Sequence, residues 1–405
     1  MAKTRPFPVW WTAVLVVAAV IPRLPVIEAG FTIDDPQLLE RAAGSGSLAG
    51  AVLESWPPGV YRPLVTLHFE VCERVFGGWA PAYHAVSVAL HAVVVVLVFV
   101  LCRRFSGMNR AALFSALLFA LLPSSNEAIA WAASVGDLWA TGLVIASVLL
   151  AVTASGKKRN NGVGWWMGSL TALILGCTAK ETAVVAALLA PAAAWLFGAR
   201  RPAGGWIAAN FAVVGAYLSW HSTRVASPGA AVLLDNPWRC LVRTAQNLVM
   251  AVVPVGRNAV GDWLWSGQTM TRLVTIGVVL VLAAWVAVAV IRRDRTTLFG
   301  WMWAVAALLP VCPLPWGERY AYLAAVGLAM VAPGLVAGFG RPKAAAAGAA
   351  VLLLFGACSF HAARLWTDSV GPSRDGAQNS STAAAQWKPA PNAVSRTLSP
   401  GSIRP

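Results

Sequence analysis

Two adjacent aspartates, Asp34 and Asp35, follow the first apolar run of a chain that is sparing with acids: 16 Asp plus Glu in 405 residues, against 58% hydrophobic residues. Carboxylates at the end of an apolar helix are costly to place and raise a functional hypothesis by default. One carboxylate can take the proton of an attacking hydroxyl. A second beside it can raise the first one's pKa, hold a metal or position the acceptor. The string Asp34-Asp35-Pro36 suits a turn or a helix N-cap equally well, and its position alone does not separate the two readings.

Other polar groups stand out against the same background. Thr178-Ala179-Lys180-Glu181-Thr182 interrupts a long apolar stretch. Lys180 there can bind a lipid phosphate, or pair with Glu181 simply to make the turn. Arg62, in Tyr61-Arg62-Pro63-Leu64 after the turn-rich Trp56-Pro57-Pro58-Gly59-Val60, and Arg319, in Trp316-Gly317-Glu318-Arg319-Tyr320, carry the planar fork that grips two phosphate oxygens. The second cluster also suits an interfacial anchor. Glu127 and Asp137 bracket a short segment that reads as a surface helix, with Trp131 at the membrane interface. Together with Glu181 and Glu318 they are the acids expected to line a cavity. His84 and His91, seven apart, share a helix face and read as polar packing more than as metal ligands. The six cysteines are scattered without a CxxC pair, so neither a zinc site nor a disulfide framework follows.

The elements that must position these groups are membrane helices. Mean hydropathy is +0.66, and apolar Ala/Leu/Val runs recur without the alternation of a membrane barrel. The fold class is an all-α polytopic membrane protein. Spans are expected at 9–27, 83–101, 111–123, 138–154, 164–179, 182–197, 205–221, 273–291, 297–312, 320–338 and 344–361, about eleven in all. The net charge of +15 is accounted for by short basic connectors, among them Arg103-Arg104, Lys157-Lys158-Arg159, Arg200-Arg201 and Arg292-Arg293. Placed together with the N-terminus, they mark the cytoplasmic side and remove the case for nucleic-acid binding. The first run reads as a retained span, not a signal peptide. Leu241–Val255 is short and ends at Pro254, which makes it an interfacial or re-entrant helix. Outer loops then fall at 28–82, 123–137, 222–272 and 313–319, together with Asp235-Asn236-Pro237. Residues 369–405, rich in Ser, Ala and Pro, form a disordered extracytoplasmic tail. Several spans, 164–179 among them, are shorter than the roughly 20 residues a crossing needs. Their outer ends should stop below the surface and frame a polar cavity.

The motif order is specific even where single motifs are short. After Asp34-Asp35 come Tyr61-Arg62-Pro63-Leu64, Tyr83-His84…His91, Leu122-Pro123…Glu127-Ala128-Ile129-Ala130-Trp131…Asp137-Leu138, Ala179-Lys180-Glu181-Thr182, Asp235-Asn236-Pro237 and Glu318-Arg319-Tyr320-Ala321-Tyr322-Leu323. Over residues 9–368 this resembles the GT-C membrane glycosyltransferases, in particular the branch related to protein O-mannosyltransferases that usually carries tetratricopeptide repeats. The resemblance implies a membrane catalytic domain over residues 1–368 and inverting transfer of a sugar, hexosyl or mannosyl, from a polyprenyl-phosphate donor to an acceptor hydroxyl on the extracytoplasmic face. It implies a general base at Asp34 or Asp35, Asp34 being favoured because the related Asp-Glu motif places the base first. The other acid would position the acceptor or a divalent cation. Arg62, Lys180 and Arg319 would hold the donor phosphate. The acceptor, a protein Ser/Thr, an envelope glycan or a lipid head group, stays open. Two departures stand out. Val135 occupies a position where relatives often have Arg, and no 34-residue repeat follows Asp368. A multi-span carrier and a non-catalytic scaffold of the same fold are the alternatives. A carrier would show internal repeats and midplane charges, whereas here no repeat is found and the polar groups gather on one face.

Overall fold

A backbone in lipid must satisfy its own hydrogen bonds, and apolar runs do so as helices. The computed structural model describes residues 8–44, 61–157, 159–223, 236–253, 267–312, 314, 317–336 and 341–370. Trp56–Val60, Lys158, Asp235, Trp316 and residues 371–405, all invoked above, lie outside them.

The first span opens as α1 (Trp10–Val20) and tightens into a 3-10 helix, Ile21–Glu28. Pro22 and Pro25 remove backbone donors, so the α pattern cannot continue. Next come α2 (Asp35–Gly44) and α3 (Pro63–Phe76), the latter started by a proline whose missing N–H costs nothing at a first helical position. α4 (Ala80–Ser106) is followed by α5 (Asn109–Leu121). Pro123 then breaks the chain into the 3-10 turn Pro123–Ser125, the short α6 (Asn126–Ala130) and a second 3-10 turn, Ala132–Ser134. The surface helix expected between Glu127 and Asp137 is therefore broken at Trp131.

α7 (Val135–Ser155) and α8 (Arg159–Ala179) lead to a 3-10 turn, Glu181–Val185, and to α9 (Ala186–Phe197) and α10 (Gly204–Ser222). Beyond them lie α11 (Pro237–Val252), α12 (Gln268–Ile291) and α13 (Arg295–Leu308). The 3-10 turn Glu318–Tyr320 introduces α14 (Ala321–Val336), and α15 (Arg341–Val370) ends the described chain.

Each of the eleven expected apolar segments contains a helix among the described residues. Among the described residues six helices are long and apolar enough to cross a membrane, and α5 with α6, bent by 55°, would make a seventh. The remaining four segments are α9, α10, α13 and α14. The segment 164–179, expected to be short, belongs to a helix of 21 residues. The helix expected to lie at the interface, Leu241–Val255, is α11, which stops two residues before Pro254.

Small residues let the helices close on one another. Ser147 and Ser169 exchange hydrogen bonds between α7 and α8 at 2.9–3.0 Å. α13 and α14 cross at Gly300 and Gly327, where a methyl group on Gly300 would lie 2.8 Å from the Gly327 carbonyl. α15 runs beside the first span and α5. Gly348 lies against Phe114 and Gly356 against Leu121, Asn126 Nδ2 donates to the Ser359 carbonyl at 3.1 Å, and Thr367 Oγ1 donates to the Pro25 carbonyl at 2.8 Å. The C-terminal ends of α15 and of the first span therefore lie together.

The Gly300–Gly327 crossing seats the helix that follows the 3-10 turn carrying Arg319. Gly327→Val is expected to destabilise the protein by about 1–3 kcal/mol through overpacking, read as a lowered midpoint in detergent thermal unfolding.

Candidate functional site

The approach to the acid pair is strained. Ile33, a β-branched residue, sits at φ +51°, a backbone region that costs such residues roughly 1–3 kcal/mol. This turn brings the Thr32 N–H to Oδ2 of Asp35 at 3.0 Å as Asp35 opens α2. The other oxygen, Oδ1, accepts the N–H of Ala133 at 2.7 Å. Asp35 is fully buried and Asp34 partly exposed. Burial pushes the Asp35 carboxyl up to about 7, against the opposing pull of the Thr32 and Ala133 N–H groups. The two neighbours thus differ in kind: one is a buried tie between the loop after the first span and the Ala132–Ser134 turn, the other a partly exposed, reachable carboxylate.

Arg319 meets that same turn. Its Nη1 lies 3.5 Å from Ser134 Oγ, one residue beyond Ala133. Its backbone N–H donates to Glu127 Oε2 at 3.1 Å, and its Nε lies 3.8 Å from Glu127 Oε1. The guanidinium stands 4.1 Å above the Trp131 ring, a cation–π arrangement. Trp131 is therefore not the membrane-interface residue expected from sequence. It is buried and forms the floor beneath Arg319. Glu318 is partly exposed in the same 3-10 turn.

Lys180 and Glu181, adjacent in sequence, do not pair with each other. Lys180 Nζ donates to both oxygens of Asp137 at 2.5 Å, with both side chains buried. Gly136 permits this approach, since a methyl group there would lie 2.8 Å from the Ala179 carbonyl. Burial draws the Lys180 ammonium below the usual lysine range, and Asp137 resists that shift. Glu181 turns the other way and takes Arg62 in a two-pronged pair at 3.0 and 2.9 Å. His221 Nε2 lies 3.7 Å from the same carboxylate, and Tyr61 stacks obliquely with Trp220 at 6.4 Å.

The expected division into three phosphate cations and separate cavity acids thus resolves into three ion pairs: Arg62–Glu181, Lys180–Asp137 and Arg319–Glu127. The Tyr320 ring joins two of them, 5.3 Å from Lys180 Nζ and 5.2 Å from the Arg319 guanidinium.

His91, read from sequence as a polar packing residue, shares a 2.8 Å hydrogen bond with Tyr322. Other residues in or under this site were not foreseen. Arg23 is fully buried; its Nη2 donates to Ser125 Oγ at 2.6 Å and to the Leu122 carbonyl at 3.2 Å. Its signal was present in the sequence, as a charge inside the first apolar run. Ser134 and His221 carried no signal of their own.

No family model matches the sequence. Over 186 residues, 41% of this chain, it is 30% identical to the protein O-mannosyl-transferase Tmtc1 of Drosophila melanogaster. It is 28% identical over 182 residues, also 41% of the chain, to Tmtc2 of the same fly, and 31% identical over 121 residues, 29% of the chain, to TMTC2 of Mus musculus. These matches span 20%, 19% and 14% of the relatives, so the chain covers about a fifth of their length or less. Among solved structures it is similar to an Archaeoglobus fulgidus oligosaccharyltransferase tethered with an acceptor peptide, at a TM-score of 0.48 and 11% identity over 91% of this chain and 56% of that one. A structure of AglB from the same archaeon, in complex with an inhibitory peptide and a dolichol-phosphate, gives a TM-score of 0.44 and 14% identity over 91% and 57%. The sequence likeness falls on the O-mannosyltransferase branch that the motif order resembles.

The buried charges lead to two expected outcomes. Lys180→Met is expected to destabilise by about 3–5 kcal/mol, because it leaves Asp137 buried without its partner, whereas Lys180→Met with Asp137→Leu recovers much of the loss; chemical denaturation of the three proteins measures this. Asp35 binds its proton more tightly folded than unfolded. Its contribution to stability is therefore full below the unfolded carboxyl range, near about 4, and is lost as pH rises through about 7. The stability difference between wild type and Asp35→Asn is expected to move against wild type over that window in a pH series of melting midpoints.

Proposed function

We propose that this chain is an inverting glycosyltransferase that moves a sugar from a polyprenyl-phosphate donor to an acceptor hydroxyl. The observation that carries the reading is the Ala133-Ser134 turn: Ala133 holds Asp35, and with it the acid pair, while Ser134 meets Arg319. A base for the acceptor and a cation for the leaving phosphate are thereby anchored to adjacent residues. The sequence likeness to protein O-mannosyl-transferases supports the same class and a mannosyl donor with a protein Ser/Thr acceptor.

In this reading Asp34 is the general base, because it is the reachable member of the pair. Asp35 is a positioning residue: each of its oxygens already accepts a backbone N–H, so it holds the loop rather than a metal. The acceptor oxygen attacks the anomeric carbon, the bond from that carbon to the phosphate oxygen breaks, and the phosphate leaves with the electron pair. The hydroxyl proton passes to Asp34. Arg319 meets the charge developing on the phosphate. Its own side-chain contacts are long, 3.3–3.8 Å, which leaves its fork the most available of the three. Arg62 and Lys180 are engaged by Glu181 and Asp137 and act through their field. In this reading the site faces the extracytoplasmic side, with the N-terminus in the cytoplasm.

The test is transfer from a radiolabelled polyprenyl-phosphate mannose to a Ser/Thr peptide in proteoliposomes. Asp34→Asn is expected to abolish turnover while donor binding persists. Arg319→Met is expected to lower the rate by about 10²–10³. Undiminished turnover in Asp34→Asn would remove the base from the mechanism.

A further inference from the structure

Each of the three cations at the site faces a carboxylate of its own: Arg62 with Glu181, Lys180 with Asp137 and Arg319 with Glu127. Arg23 breaks this pattern. It is fully buried, and no acid among the described residues pairs with it. One guanidinium nitrogen, Nη2, is held by Ser125 Oγ at 2.6 Å and by the Leu122 carbonyl at 3.2 Å. The other two, Nε and Nη1, have no partner among the described residues. Capping the end of α5 explains the first contact and neither of the other two nitrogens. Arginine keeps its charge at physiological pH, and buried charges are ordinarily paired. An unpaired one within an apolar span calls for a functional reason.

The charge lies directly under the site. Ser125 is two residues before Glu127, whose carboxylate receives the Arg319 N–H. Val26, three residues beyond Arg23, packs with Ala130, which directly precedes Trp131, the floor beneath Arg319. Tyr322, three residues past Arg319, is within electrostatic reach of Arg23 and of Asp137, the partner of Lys180. Its hydroxyl is tied to His91 at 2.8 Å. Arg23 is thus enclosed by the segments that carry Arg319 and Lys180, with no surface of its own exposed.

A charge in this position touches no ligand and acts through its field. Packed side chains surround it, and the water and salt that would screen it are kept away. The field does nothing for a neutral ligand. For a singly charged anion about 10 Å away, at an effective dielectric of about 20, it changes the binding constant by roughly tenfold. We infer that Arg23 is a selectivity residue: its uncompensated charge makes the site prefer a lipid that bears a phosphate over the same lipid without one. This rests on the glycosyltransferase reading above, in which the ligand is the polyprenyl-phosphate donor and Arg319 makes the direct contact.

Position 125 separates charge from shape. Ser125→Asp sets a carboxylate against Nη2 and completes an ion pair, whereas Ser125→Asn has the same shape and no charge. The full-length protein in phosphatidylcholine nanodiscs is titrated with a polyprenyl phosphate and with the uncharged polyprenol of the same length, and melting midpoints are recorded. Wild type and Ser125→Asn are expected to bind the phosphate at least about tenfold more tightly than the alcohol. Ser125→Asp is expected to melt above Ser125→Asn, because the buried guanidinium gains a counter-ion. It is nonetheless expected to bind the phosphate about tenfold more weakly, with the alcohol unchanged. Arg23→Gln should show the same loss, and Arg23→Lys should keep the preference. A purely structural Arg23 gives a different result: Ser125→Asp, its tie strengthened, binds the phosphate as tightly as Ser125→Asn. That outcome overturns the inference. So does a Ser125→Asp protein that melts below Ser125→Asn, which would mean that the guanidinium is already compensated, and so do parallel losses for phosphate and alcohol. Mannosyl transfer to a Ser/Thr peptide is measured on the same samples. Transfer by wild type without a preference for the phosphate overturns this inference and leaves the glycosyltransferase reading in place; the absence of both overturns both.

Discussion

The ion pair between Lys180 and Asp137 is made where almost no water reaches, and the end of the bundle that holds it is arranged around it. A buried ammonium and a buried carboxylate are each expensive alone and tolerable only together. Their contact draws the end of α8 against the start of α7, and Gly136 removes the side chain that would hold the two backbones apart. With Lys180 committed to Asp137, Glu181 is turned to the opposite side, where it fixes Arg62 at the mouth of α3 and meets His221 at the end of α10. Two consecutive residues thus tie four helices to a common point, and the aromatic face of Tyr320 carries the arrangement across to Arg319.

The acid loop is held by a different means. Among the described residues no cation pairs with Asp35. It accepts N–H groups from Thr32 and Ala133, and the left-handed turn at Ile33 is the conformation that lets a single side chain reach both. Hydrogen bonds to backbone are indifferent to salt and fixed in direction, so the reachable Asp34 inherits its position from a neighbour that is itself locked. Arg319 is held more loosely, by an aromatic face and long contacts. The candidate site therefore pairs a rigidly held acid side with a more loosely held cation side.

The helices were legible in the sequence because apolarity in lipid leaves the backbone one local solution. The acid pair was legible because charge is scarce. The pairings were not. Lys180 finds its partner 43 residues away, Arg62 finds one 119 away, and the Arg319 backbone finds Glu127 192 away. Adjacency suggested Lys180 with Glu181, yet adjacent side chains at a helix break point in different directions, and each took a charge brought in by tertiary packing. Trp131 misled for a related reason. A tryptophan near the end of an apolar run usually marks the interface, and here a guanidinium arriving from a distant turn claimed its face. Arg23 lay among the prolines of the first span, but nothing nearby in sequence indicated Ser125 as its partner.

The alignment of α15 with the first span also fixes a matter of parity. Two crossing helices that travel the same way must be separated by an odd number of crossings, so the total from first to last is odd. The seven helices that meet the length requirement when α5 and α6 are taken as one satisfy this, and so do the eleven apolar segments. Adding α11 to the eleven would make twelve and reverse the last helix, parting Thr367 from Pro25. The hydrogen bond from Thr367 to Pro25 is thus consistent with an odd number of crossings, and with eleven crossing segments α11 would be left uncrossed.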